Sequence, residues 1–339
     1  MGELLHQPTT FAKCCCDAVK ILVSAVLVLV ACAAATADAE DIHFLVPGGA
    51  GGGWDSTARG TGMVLRAEGI IEAASFENIS GAGGGKAIGM LIETADHQTA
   101  TLMVNSTPIV VRSITKLFPF SFRDLTPIAR VIGDYQVLAV RVDSDIRDFG
   151  DVLERFRENP RSVKVAGGSV RGDLDHLVPA LALRAAGEDP RRLAYVPYDA
   201  GGKALAGFLT GEGDVLSTSL SEAMEYYRAG ALRIVAVSAP ERVASAPSVQ
   251  TYVEQGVDFV FVNWRGFFAP PGLSAELADR YSAMLGEMLG TPAWEELRSR
   301  NGWQNQYLDR HAFARFLDRQ EHEIRNLLIE LGFLREDAP

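Results

Sequence analysis

One segment constrains the fold more than any other: FLVPGGAGGGWDSTAR, residues 44 to 59, where an apolar strand runs into five glycines and then a helical pattern beginning near Trp54 and Asp55. Glycine admits φ > 0 and lets a ligand approach the bare backbone, and a helix N-terminus adds a partial positive charge. The turn is therefore a candidate anion site. Tight strand-to-helix packing is the plainer alternative, with Asp55 or Ser56 as an N-cap, and Asp55 reads more as a cap than as a ligand contact.

The same unit recurs along the chain. HFLV, SFENI and TLMVN each end in a Gly, Ser, Thr or Asp turn before a helical pattern, and a second series follows with VKVAGG, LAYVPY, DVLSTSL and LRIVAVSAP. Alternation of this kind predicts an α/β fold in two lobes, each a mostly parallel sheet flanked by helices. VLAVRV (137–142) and FVFVNWRGFFAPPG (259–272) lie between the series and read as two hinge crossings. Lobe 1 is thus expected to be discontinuous, 40–139 plus 264–339, with lobe 2 over 140–263. Phe313, Phe316, Leu317, Ile324, Leu327, Leu328 and Leu331 mark one face of a final helix expected to pack back on lobe 1. Ligands in open α/β sheets sit beyond the carboxyl ends of the strands, so the turns of both lobes should face one cleft.

The N-terminal segment has the form of an export signal. A polar stretch with Lys13 and Lys20 precedes the apolar run 21–31, and Ala-Thr-Ala at 35–37 or Ala-Asp-Ala at 37–39 fits a cleavage site, which assigns 1–39 as a signal peptide. Leu29-Val30-Ala31-Cys32 also resembles a lipoprotein cleavage box, which would place a lipid anchor on Cys32. The apolar run is short for a membrane span, which needs ~20 residues. All four cysteines, Cys14, Cys15, Cys16 and Cys32, lie in this leader, so a domain cut after it has no thiol for a disulfide, a metal or a nucleophile. The formal charge of −11, without basic clusters, argues against nucleic acid as a partner.

Several sequence motifs fail on inspection. SGAGGGK with Lys86 lacks the first Gly and the final Ser or Thr of a Walker A loop, and Gly48 to Gly53 puts Trp54 where a dinucleotide fingerprint needs its third glycine. Gly168-Ser169 departs from a nucleophile elbow at Arg171. The histidines are scattered, and no metal or other cofactor is expected. Two clusters remain open between ligand contact and surface turn. Asn105, Ser106 and Thr107 offer short polar groups at the end of the third strand, and Arg171, in GGSVRGD, could grip a carboxylate through two hydrogen bonds.

Taken in order, PGGAGGGWDSTAR, NISGAGGGKAIG, VPYDAGGKALAGFLTGEGD and NWRGFFAPPG resemble the extracytoplasmic solute-binding subunit of tripartite tricarboxylate transporters over roughly residues 42–335. The resemblance implies a flytrap periplasmic binding protein, expected to be a monomer. It would capture a small tri- or dicarboxylate, citrate-like, and hand it to a membrane permease of two subunits. It also implies a first carboxylate loop at Pro47, Gly48, Gly49, Gly52, Gly53, Trp54 and Asp55, and a second at Asn78, Gly81, Ala82, Gly83 and Gly84. The ligand's other end would fall to Ser169, Val170, Arg171 and Gly172, with Tyr198, Asp199, Ala200 and Gly201. An uncharged nest of N–H groups would then hold the anion without a buried ion pair. Two rivals stay open: an exported carboxylate-acting enzyme using His176 or Asp199 as a base, and a ligand sensor for a signalling receptor.

Overall fold

The computed structural model describes residues 40–335. The leader, with the cleavage and lipidation expectations attached to it, lies outside the described residues.

Among the described residues, ten strands form two sheets that share one long strand. In the first, β1 (Ile42–Val46) lies between β2 (Ala74–Asn78) and β3 (Thr101–Ser106), all parallel. In the second, β5 (Lys164–Gly167) lies between β6 (Ala194–Pro197) and β7 (Val215–Ser219), again parallel. The shared strand is β4 (Thr126–Arg141). Thr126 to Tyr135 pair with β9 (Val262–Ala269), and Gln136 to Arg141 pair with β7 and with β8 (Leu232–Val237). Strand β10 (Gln304–Leu308) completes the first sheet on the other side of β4.

The sheets are mixed rather than mostly parallel, and the crossings are the reason. The chain leaves the first sheet along β4 and returns along β9, so these strands run antiparallel to each other, and each is also antiparallel to its parallel-strand neighbour, β9 to β3 and β4 to β7. The apolar run 137–142 marks only the second half of β4; β10, polar and alternately half-buried, carries no apolar signal.

Helices follow the strands as the turns predicted. Helix α1 (Gly53–Ala67) follows β1, α2 (Gly85–Glu93) follows β2, and α3 (Thr107–Thr115) follows β3 with Pro108 in its first turn, where proline's missing N–H costs nothing. On the second sheet α4 (Phe149–Glu158), α5 (Leu174–Ala185), α6 (Gly201–Leu209) and α7 (Leu220–Arg228) play the same part. The C-terminal region adds α8 (Ala275–Met288), α9 (Pro292–Asn301) and α10 (Arg310–Glu330).

Apolar packing fixes these layers. Phe44 stacks on Phe76 at 5.4 Å and meets Phe267 edge-on at 5.8 Å, beneath α1 and α8. Gly62 of α1 sits over these rings; a Cβ there would come within 2.7 Å of Phe76. Phe313, Leu317, Ile324 and Leu328 of α10 are buried against α3 and β4, as the helical spacing predicted. The end of the helix goes further than expected: Glu330 pairs with Arg184 of α5, and Phe333 packs on His176.

Candidate functional site

Turns after six parallel strands converge on one cleft of about 110 Å³. Pro47, Gly48, Gly49, Gly52, Gly53 and Trp54 follow β1, Gly81, Gly83 and Gly84 follow β2, and Ser106 ends β3. From the second sheet come Ser169 after β5, Asp199, Ala200 and Gly201 after β6, and Glu222 after β7. This is the carboxyl-edge position expected of open α/β sheets.

The first turn is braced from behind. Asp55 accepts the N–H of Gly51 (2.9 Å), Nε of Arg59 (2.8 Å) and Nδ2 of Asn78 (3.0 Å), while Asn78 also donates to the carbonyl of Gly48 (3.1 Å). Neither Asp55 nor Asn78 lines the cleft, since their polar atoms are spent on holding the loop. The N-cap is Gly52, with no side-chain cap; Asp55 stands in the first helical turn and reaches back one residue further. Gly53 is obligatory for a separate reason: a Cβ there would lie 2.1 Å from the Arg265 guanidinium beneath it.

In the second turn Gly81 (φ 128°), Gly83 (φ 61°) and Gly84 (φ 96°) take positive φ values in close succession, a conformation that favours glycine, and the N–H of Gly84 closes the turn on the carbonyl of Gly81 (3.0 Å). Ala82 is exposed and outside the lining. Trp54 donates from Nε1 to Oγ of Ser106 (2.9 Å), which fixes the indole as a wall. Asn105 and Thr107 do not line the cleft: Asn105 accepts the N–H of Ser106, and the backbone N–H of Thr107 goes to Asn263.

On the opposite wall, Gly168 approaches the backbone of Gly201 so closely that a Cβ would stand 2.4 Å from its nitrogen, and Ala200 is held at φ 112°. This contact joins the turns after β5 and β6. Val170 and Arg171 are exposed beyond it. Arg171 donates to the carbonyl of Tyr195 (2.7 Å), so its guanidinium is occupied away from the cleft, and Gly172 donates to Nδ1 of His176 (2.9 Å). Tyr198 directs its hydroxyl to Glu212, and Asp199 faces Lys203 at 3.6 Å. His176 is buried against Tyr195, 4.5 Å between ring centres, and burial with the nearby charge of Arg171 lowers its pKa to about 4. A neutral imidazole whose Nδ1 is taken and which does not line the cleft is not placed as a base for a bound ligand.

Sequence reading missed several wall groups: Ser80, Pro108, Arg112, Gly168, Leu174, Asp175, Glu222, Asn263 and Arg265. Asn263 and Arg265 lie within the NWRG segment, and Gly168 within the Gly-rich turn; Arg112 is an interior helix residue without a local signal, and Glu222 stands in the first turn of α7, where Ser219-x-x-Glu222 reads only as a helix cap. These wall groups bring buried ion pairs to a nest expected to need none. Arg112 pairs with Asp173 at 2.7 Å, and Arg265 with Asp134 at 2.9 Å, all four side chains at most 5% exposed. The nest is therefore floored by buried ion pairs, each internal to the protein. Burial pushes the Asp175 carboxyl well up, reinforced by the neighbouring Glu222 and Asp173, and burial raises Asp134 as well.

Comparison with known proteins agrees with this architecture. Residues 67–333 match the model of the tripartite tricarboxylate transporter family receptor. A UPF0065 protein encoded in the tcbD–tcbE intergenic region of Pseudomonas sp. (strain P51) is 29% identical over 256 residues, 74% of each chain. Among solved structures, an R. palustris protein with adipate superposes with a TM-score of 0.78 at 19% identity, covering 87% of this chain and 98% of the other. MatC of Rhodopseudomonas palustris with bound malate gives 0.74 at 20%, covering 86% and 99%. At these identities the superpositions establish the fold, that of periplasmic binding proteins.

Proposed function

The chain belongs to the tripartite tricarboxylate transporter family of receptors, and from that premise we propose that it is a periplasmic receptor that captures a small di- or tricarboxylate in this cleft and delivers it to a membrane permease. The observation that carries the reading is the convergence on one cleft of two glycine turns, whose bare backbone leaves room for a ligand, at the N-termini of α1 and α2. Relatives of the same fold that hold malate and adipate support a carboxylate as the ligand class. The dicarboxylate is favoured over the tricarboxylate, because Glu222 and Asp175 already bring two carboxyl groups to the walls. The first sheet with α8 to α10 forms one lobe and the second sheet the other, with β4 and β9 as the hinge; ligand shifts the population toward closure.

The test is thermal unfolding of the purified protein against citrate, malate, succinate, glutamate, a monocarboxylate and a neutral sugar. A ligand at ~1,000 times its dissociation constant adds about 4 kcal/mol, a shift of several degrees. Stabilisation by the neutral sugar alone would sink the proposal. Gly52→Val should weaken binding by at least about 30-fold, roughly 2 kcal/mol, while the fold survives. The backbone there is extended (φ −82°), and an added Cβ meets nothing nearer than 3.6 Å, so only the γ-methyls intrude on the ligand's space. Unchanged affinity in a folded Gly52→Val protein would remove the first turn from the site.

A further inference from the structure

We propose that Glu222 is a specificity-determining residue that selects a carboxylate carrying an ammonium group as well. The inference rests on the carboxylate-receptor reading and narrows it. Glu222 is wedged between the first turn and the turn after β6. Its Oε1 accepts the N–H of Gly53 at 2.9 Å, and its Oε2 accepts the hydroxyls of Thr218 (3.0 Å) and Ser219 (2.9 Å). The space exists only because residue 201 is glycine, where a Cβ would stand 2.5 Å from Oε1.

Three donors from two sides fix this carboxylate, yet none is a cation. Arg112 pairs with Asp173 and Arg265 with Asp134, Arg265 reaching this carboxylate only through the Ser219 hydroxyl (Nη2 to Oγ, 3.3 Å), and among the described residues Glu222 makes no ion pair. A fixed, part-buried carboxylate at the wall, without a countercharge, favours a ligand that brings one, since charge-assisted hydrogen bonds are about twice as strong as neutral ones. Glu222 also takes the N–H of Gly53, which turns the ligand's own carboxylate toward the second glycine turn. The two recognitions are thereby separated in space: N–H groups of the turn after β2 for the carboxylate, Glu222 for the ammonium.

The experiment is calorimetric titration of ligand-freed protein with pairs that differ only in the amine: aspartate against succinate, and glutamate against glutarate. The aminated member of at least one pair should bind at least about tenfold tighter. In Glu222→Gln, which keeps an acceptor for Gly53 and removes the charge, the ratio should fall to within about threefold of unity. Equal or tighter binding of the unaminated acids by the unaltered protein overturns the inference while leaving the carboxylate reading intact, as does an unchanged ratio in a folded Glu222→Gln variant. Should that variant not fold, the ratio in the unaltered protein decides alone. Binding of none of the four acids, nor of malate or citrate, overturns the carboxylate reading and this inference with it.

Discussion

Arg112→Ala is expected to destabilise the protein by about 3 to 5 kcal/mol, the range found when one partner is removed from a buried ion pair. Arg112 gives Nε and Nη2 to a single oxygen of Asp173, both at 2.7 Å, and the two side chains are 5% and 1% exposed. Truncation leaves the Asp173 carboxylate in the interior with only the N–H of Leu174 to satisfy it. The loss is compounded by packing, since the guanidinium lies 5.6 Å from the Trp54 ring centre and 3.0 Å from where a Cβ on Gly83 would stand. The pair joins α3 of the first sheet to the start of α5 on the second, and both glycine turns of the first sheet rest on its guanidinium. The double variant Arg112→Met with Asp173→Leu should recover much of the loss, because apolar replacement of both partners removes the unpaired charge. Urea unfolding of the three proteins checks this; a single variant within 1 kcal/mol of the parent would show that the pair contributes little.

The strand-to-turn-to-helix units were legible because each is a local signal: apolar residues of strand length, then glycine or short polar residues, then a 3.6 period. Both glycine turns, the edge position of Ser106 and the face of α10 follow from such signals. The groups that give the cleft its charge do not, because their partners are remote in sequence. Glu222 meets Gly53 across 169 positions, and Arg112 meets Asp173 across 61. Arg171 failed for the opposite reason. It stands beside a cleft turn in sequence, yet the carbonyl of Tyr195 holds its guanidinium outside, and only the register of β5 on β6 determines that. Asp55 and Asn78 show a third case: the residues alone mark Asp55 as a cap, the resemblance implies ligand loops at both, and their side chains brace the first turn.

Acidification should destabilise the protein, with His176 contributing between about pH 6.5 and 4. Burial, and secondarily the charge of Arg171, lowers its pKa from an ordinary value near 6.5 to about 4. The folded state therefore keeps the imidazole neutral where the unfolded chain binds a proton. Its contribution to stability is complete above pH 6.5, falls as pH drops through the interval down to about 4, and levels off below. At about 1.4 kcal/mol per pH unit the difference amounts to about 3 kcal/mol. Neutrality is built into the contacts: Nδ1 accepts the N–H of Gly172, the ring stacks on Tyr195, and Phe333 closes the other side at 4.9 Å. In His176→Asn the side-chain oxygen can still accept from Gly172 but cannot titrate. The variant should be less stable than the parent at pH 7 through lost packing, and should lose about 3 kcal/mol less than the parent between pH 7 and pH 4. Urea midpoints at pH 7, 5.5 and 4 give both slopes. Parallel slopes would assign the acid sensitivity to the carboxylates, and convergence of the two curves toward pH 4 assigns it to His176.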